Sequence, residues 1–82
     1  MTDAKQALKE YVQKLKTERD ELRLKLKLSN MEFRDHWDAA EVKWNRLEQK
    51  MEDLTHESAE SSRAVAHELA EMYRNMRNII NR

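Results

Sequence analysis

Residues 33 to 44 read FRDHWDAAEVKW, and Phe33, Trp37, Ala40 and Trp44 are separated there by steps of four, three and four. An α-helix has about 3.6 residues per turn, so these four side chains share one face of a helix. Most of the positions between them are charged. The stretch therefore predicts an amphipathic helix with an aromatic core face.

The same spacing continues in both directions, with two interruptions of eleven residues. One lies between Leu22 and Phe33, the other between Leu54 and Val65. Steps of this size unwind a supercoil or mark a break between helices. The second step contains residues 55 to 62, which are Ser-rich and include no large apolar residue, so it is the stronger turn signal.

The first step is more ambiguous. Ser29 and Glu32 have the spacing of a capping box, which favours a new helix. However, the stretch contains neither Gly nor Pro, and Leu28 and Met31 can continue a helix. We therefore expect one uninterrupted helix through this region.

The composition limits the fold class and the chemistry. The 82 residues include no Gly, Pro or Cys, and 39% are charged. Good helix formers dominate, which predicts an all-α protein. Phosphate-binding loops and nucleophile elbows need Gly, and disulfides need Cys, so we predict a non-enzyme without cofactor or metal.

No apolar run approaches the roughly 20 residues of a membrane span, and no secretory signal is visible, which predicts a cytoplasmic protein.

These observations predict a single domain over residues 1 to 82, a long-armed helical hairpin. Its first helix covers about residues 3 to 56, its turn about 57 to 61 and its second helix about 61 to 80. Leu54 then lies opposite Val65, and Trp44 opposite Met76. The first helix is roughly 80 Å long and the second about 30 Å, so the N-terminal arm overhangs and needs another chain.

The expected assembly is a homodimeric coiled coil or helical bundle, with a tetramer as the next choice. The predicted oligomer interface consists of Leu8, Val12, Leu15, Leu22, Leu24, Leu26 and Leu28. The predicted hairpin core consists of Phe33, Trp37, Trp44, Leu47, Met51, Leu54, Val65, Leu69, Met72, Met76 and Ile79.

Two other architectures fit the same pattern. One is a monomeric three-helix bundle with turns near Ser29-Asn30 and Ser58. The other is one continuous helix of about 120 Å in a parallel coiled coil.

Charge is neutral in total but arranged in blocks. Residues 1 to 30 have a net charge of +3, residues 31 to 60 of −5 and residues 61 to 82 of +2. Blocks of opposite sign suit segments that lie against each other. The basic amphipathic segment at residues 72 to 82 supports an alternative function, binding to an anionic membrane surface or an acidic partner. Zero net charge and interleaved acids argue against a nucleic-acid partner.

Two patterns invite a binding site. Phe33, Trp37 and Trp44 form an aromatic stripe that could stack a ligand, but their place on the apolar face favours core packing. Three pairs at i, i+4 spacing could hold a divalent ion: Glu32 with His36, His56 with Glu60, and His67 with Glu71. Each pair offers two ligands and a zinc site needs three or four, so no metal site is predicted.

Three segments resemble a group of small bacterial coiled-coil proteins, some of them labelled stress-response proteins. The segments are residues 11 to 16, YVQKLK, residues 33 to 44 followed by Leu47, and residues 71 to 74, EMYR. The resemblance covers most of the chain and implies a helical protein without assigned catalytic residues. Family members often carry Gly where this chain has residues 56 to 62. The resemblance and the helical spacing of the apolar residues together predict a self-associating or scaffold protein that acts through protein contacts. They also predict a link to stress and an unidentified partner.

Overall fold

The computed structural model describes residues 4 to 81, apart from the side chains of His56 and Glu57. Over this range the chain forms α1 (Ala4–Leu24), α2 (Met31–Glu52) and α3 (His56–Ile80), with a short 3₁₀ turn at Leu26–Leu28. The all-α prediction is confirmed for the described residues. Residue 3, where the predicted first helix begins, lies outside them.

The structure has two helices where the favoured hairpin has one long first helix, and the three packed helices agree with the alternative three-helix bundle, which has a turn near Ser29-Asn30. The break is held by two polar side chains: Ser29 Oγ donates to the Leu26 carbonyl at 2.6 Å, and Asn30 Oδ1 accepts from the Phe33 amide at 2.9 Å. Asn30 is thus the N-cap of α2, one residue after the predicted Ser29. These bonds satisfy backbone groups that a continuous helix would pair internally, which is why the chain can turn without Gly or Pro.

The second turn comes earlier than predicted. Thr55 caps α3 through a reciprocal capping box, in which Thr55 Oγ1 accepts from the Ser58 amide at 3.1 Å and the Thr55 amide donates to Ser58 Oγ at 2.8 Å. The turn therefore lies at residues 53 to 55 instead of 57 to 61. The Ser-rich stretch continues into α3, because its serines bond locally within the first helical turns.

The helices run up, down and up, and α3 packs against both α1 and α2. Glu18 pairs with Arg77 at 3.1 Å and the Tyr11 ring lies 5.3 Å from the His67 ring, so α1 and α3 are parallel. Their common length makes the bundle 41 Å long, about half the predicted rod.

The α2–α3 register also differs from the prediction. Lys43 donates to Glu68, which places Trp44 alongside the middle of α3 instead of opposite Met76. The difference follows from the earlier turn. Because α3 begins at His56 instead of about residue 61, every residue of α3 is shifted along α2 relative to the prediction.

The core contains side chains from all three helices. The half of α3 beside Trp44 and Leu47 contributes small side chains to the core, and the other half of α3 contributes large side chains. The buried set is Leu8, Leu15, Leu22, Phe33, Trp37, Ala40, Trp44, Leu47, Ala59, Ser62, Ala66, Leu69, Tyr73, Met76 and Ile79.

The predicted hairpin core lies in this interior. Seven of its members are buried, and four are half-buried and packed against the core: Met51, Leu54, Val65 and Met72.

The residues of the predicted oligomer interface differ from one another in their burial. Leu8, Leu15 and Leu22 are buried within the single chain, because α3 runs beside α1. Val12 and Leu26 are half-buried against the core. Only Leu24 and Leu28 remain exposed. The overhanging arm is therefore absent, and the homodimer stays a prediction.

Asn30→Ala should lower the free energy of unfolding by about 1 kcal/mol, because the first turn of α2 loses its side-chain cap. In a domain of this size that corresponds to a fall in Tm of roughly 4 to 8 °C, measurable by circular dichroism. Asn45→Ala is the matched control, since Asn45 is exposed within α2. Equal Tm values for the two variants would contradict the assigned cap.

Candidate functional site

A polar cluster at mid-height joins the three helices. Arg19 on α1 forms a bidentate pair with Glu41 on α2, with Nε to Oε1 at 2.6 Å and Nη2 to Oε2 at 2.8 Å. The guanidinium carbon lies 5.8 Å from the Trp37 ring centre and 5.3 Å from that of Trp44. Two indole rings and a carboxylate thus hold the one cation, a combination that suits the planar guanidinium.

The cluster has a distinct electrostatic character. The hydrogen bond that Arg19 donates to Glu41 raises the pKa of Arg19, so the guanidinium stays charged at every physiological pH. Tyr73 on α3 is fully buried nearby, its hydroxyl has no hydrogen-bond partner among the described residues, and burial raises its pKa. The Ser62 hydroxyl is also buried without a partner in this part of the chain. The Arg19–Glu41 pair links α1 to α2 and acts as a clamp between these helices.

The aromatic stripe lies inside the bundle. Phe33, Trp37 and Trp44 are all buried, which confirms core packing as their role. Among the described residues, no three His, Asp or Glu side chains come together as a metal site would require. The pair of His56 with Glu60 lies outside this statement, because the His56 side chain is not described.

The exposed apolar residues point to a different region. Four large apolar side chains are exposed among the described residues, and three of them fall within residues 24 to 31: Leu24 at 80%, Leu28 at 94% and Met31 at 75%. The fourth, Val42, lies on α2 away from that loop. Single exposed apolar residues are common on soluble proteins, but clusters mark interaction sites.

We name these three residues, together with the exposed Lys25 and Lys27, the end surface. It covers the connection from α1 to α2, which the end of α3 approaches. Beside it lies a shallow cavity of about 270 Å³ lined by Lys25, Leu28, Ser29, Asn30, Phe33, Ile79 and Ile80. The end surface therefore combines exposed apolar side chains, an adjoining hollow of mixed polar and apolar lining and two lysines.

Basic residues are concentrated in the connection from α1 to α2. Residues 23 to 34 hold four basic residues and one acidic one, and the acidic Asp20, Glu21 and Asp35 flank this stretch. Residues 48 to 60, at the opposite end, hold five acidic residues and one lysine. Arg23, Lys25, Lys27 and Arg34 are exposed and form no ion pair with another described residue. The end surface thus offers unpaired cations.

The C-terminal segment does not provide the membrane-binding face that its sequence suggests. Tyr73 and Met76 are fully buried and Ile79 is 9% exposed, so the apolar side of residues 72 to 81 faces the core. In this arrangement α3 uses that face to close the bundle, and the alternative function at this segment stays a prediction. No helix in residues 4 to 81 combines the length and apolar character that crossing a bilayer requires.

No protein-family model, curated protein or solved structure matches this chain. The resemblance to bacterial coiled-coil proteins therefore stays a prediction. The end surface is identified from exposure and charge alone. Sequence reasoning selected Leu24 and Leu28 as association residues but not Met31, and it placed a turn near Ser29-Asn30 only in the alternative three-helix bundle. The Ser29-Asn30 signal was the one that could have located it.

Arg19→Lys should lower the free energy of unfolding by about 1 to 2 kcal/mol, because an ammonium cannot form the bidentate pair or lie flat between two indoles. Chemical denaturation followed by tryptophan fluorescence would measure both the loss and the changed surroundings of Trp37 and Trp44. Arg23→Lys, exposed on the same helix, is the control. Equal stabilities for the two variants would contradict a clamp at Arg19.

Tyr73→Phe should leave the free energy of unfolding unchanged or raise it by up to about 1 kcal/mol, because it removes a buried hydroxyl that has no partner. A loss of similar size would show instead that the hydroxyl is bonded. Tyr11→Phe, at a half-exposed position, is the comparison.

The same variant has a signature in alkali. Since the folded chain holds the Tyr73 proton more tightly than the unfolded chain, this contribution to stability is complete below about pH 10 and declines as the pH rises further. Tyr73→Phe should remove that part of the alkaline destabilisation in urea titrations between about pH 9 and 11, whereas Tyr11→Phe should retain it.

Proposed function

We propose that this chain is a non-enzymatic association module that docks through its end surface onto an acidic partner. The observation that carries the proposal is the cluster of Leu24, Leu28 and Met31, each at least 75% exposed, among unpaired cations. The other leucines of the bundle are buried or half-buried, whereas these three apolar side chains are exposed.

Apolar burial supplies the attraction. Fully burying a leucine or methionine side chain is worth about 1.5 to 3 kcal/mol, so three of them could drive a reversible contact. Leu24 and Leu28 take no part in the core, and their exposure therefore costs the folded chain no packing. Because the side chains of Leu24 and Leu28 do not pack in the core, their exposure favours a role in binding.

Charge selects the partner. Lys25 and Lys27 stand between the apolar residues, with Arg23 and Arg34 nearby. Two copies meeting through this surface would bring like charges together, which disfavours a symmetric dimer at this site. An acidic surface instead gains from each cation and is attracted over the distance of a Debye length.

Site-specific photo-crosslinking tests the docking site without assuming the partner. We expect benzoylphenylalanine at position 28 to form adducts in cells of the source organism, and the same group at position 42 to form few. Val42 is the matched position, since it is apolar, 61% exposed and away from the loop. The charge variant Lys25→Glu with Lys27→Glu should remove the adducts at position 28. Equal labelling at positions 28 and 42, or none at 28, would refute the docking site.

A further inference from the structure

Resting on the proposed function, we propose that the acidic partner is the anionic surface of a lipid bilayer. The end surface would insert Leu24 and Leu28 among the headgroups while the bundle stands upright on the membrane. This places membrane contact on the α1–α2 connection and not on the C-terminal segment.

The shape of the end surface favours lipid over an acidic protein. Leu28 is 94% exposed and Leu24 is 80% exposed, so both side chains extend into solvent at the α1–α2 connection. A protein partner would need a preformed hollow for each of these side chains, whereas the fluid region between headgroups and acyl chains adapts to them. An exposed leucine next to a lysine matches that interface.

The arrangement of the cations matches the same environment. Lys25 and Lys27 alternate with the leucines along the loop, so ammonium groups stand at the depth where phosphates and carboxylates of anionic lipids lie. Their flexible stems can extend along apolar surface while the charge stays in the headgroup layer. Each cation near such a surface is attracted to the anionic lipids, and none here is already paired within the described residues.

A contact through the end surface keeps the acidic stretch of the chain away from the membrane. Residues 48 to 60 lie at the far end of a molecule 41 Å long. The Debye length at physiological ionic strength is about 8 Å, so the repulsion between that end and the membrane is screened when the end surface is in contact. The proposed contact is therefore reversible and sensitive to salt.

Vesicle co-sedimentation of the full chain tests this proposal. We expect binding to phosphatidylcholine vesicles containing about 30% phosphatidylserine at low salt, little binding to phosphatidylcholine alone, and a loss of about tenfold or more near 0.5 M salt. Leu24→Ser with Leu28→Ser should weaken binding about tenfold or more, and Val42→Ser should leave it unchanged. Circular dichroism verifies folding of each variant, which exposed positions should preserve.

Every outcome decides the matter. No binding to the anionic vesicles at low salt overturns the membrane partner, as does an equal effect of Val42→Ser. Binding that survives the double leucine change but fails with Lys25→Glu and Lys27→Glu shows adsorption without insertion, which overturns the insertion of Leu24 and Leu28.

The crosslinking result separates this inference from the proposed function. Protein adducts at position 28 without vesicle binding would retain the docking site and assign it to an acidic protein. Neither adducts nor vesicle binding would remove both. Lipid adducts at position 28 together with vesicle binding would support both.

Discussion

The packing of α3 between the other two helices is the interaction on which the rest of the structure depends. α3 contacts both α1 and α2. It turns what would be an overhanging N-terminal arm into one wall of a bundle, covering Leu8, Leu15 and Leu22 along the side of α1 that the sequence had left to a second chain. The Arg19–Glu41 pair then closes the gap between α1 and α2, where two indole rings flank the guanidinium. A chain of this size has little apolar area to spare, so such a specific pair contributes by fixing one arrangement of the helices as much as by its energy.

This topology also decides where charge accumulates. The basic, acidic and basic blocks of the sequence do not simply face each other along two antiparallel arms. Because the chain reverses at residues 25 to 30 and again at residues 53 to 55, the basic connection meets the C-terminal part of α3 at one end and the acidic turn occupies the other. The result is a basic connection that also carries the exposed leucines, with the acidic turn at the opposite end of the bundle. Folding and surface chemistry thus have the same origin, the positions of two turns.

The sequence predicts the class of structure better than its turns. Helix content and the buried face from Phe33 to Leu47 follow from composition and period, since both are local properties. The break at Asn30 was uncertain, because a cap is worth only about 1 kcal/mol and competes with Leu28 and Met31, which suit a helix equally well. Burial of Ala59 and Ser62 was hidden in a Ser-rich stretch that resembles a turn. The Arg19–Glu41 pair joins residues 22 positions apart, so nothing local in the sequence points to it.

Leu24 and Leu28 show why the sequence predicts only part of the candidate site. Their apolar character on the side of the helix opposite Leu22 and Leu26 correctly marked them as residues without a partner in a single helix, and the structure leaves them exposed. The inference went too far in treating Leu22 as part of the same contact, because α3 covers that side chain. The core and the end surface are therefore built from different residues of one apolar stretch. Since the exposed leucines add no packing, they are free to make the contact outside the chain that we propose.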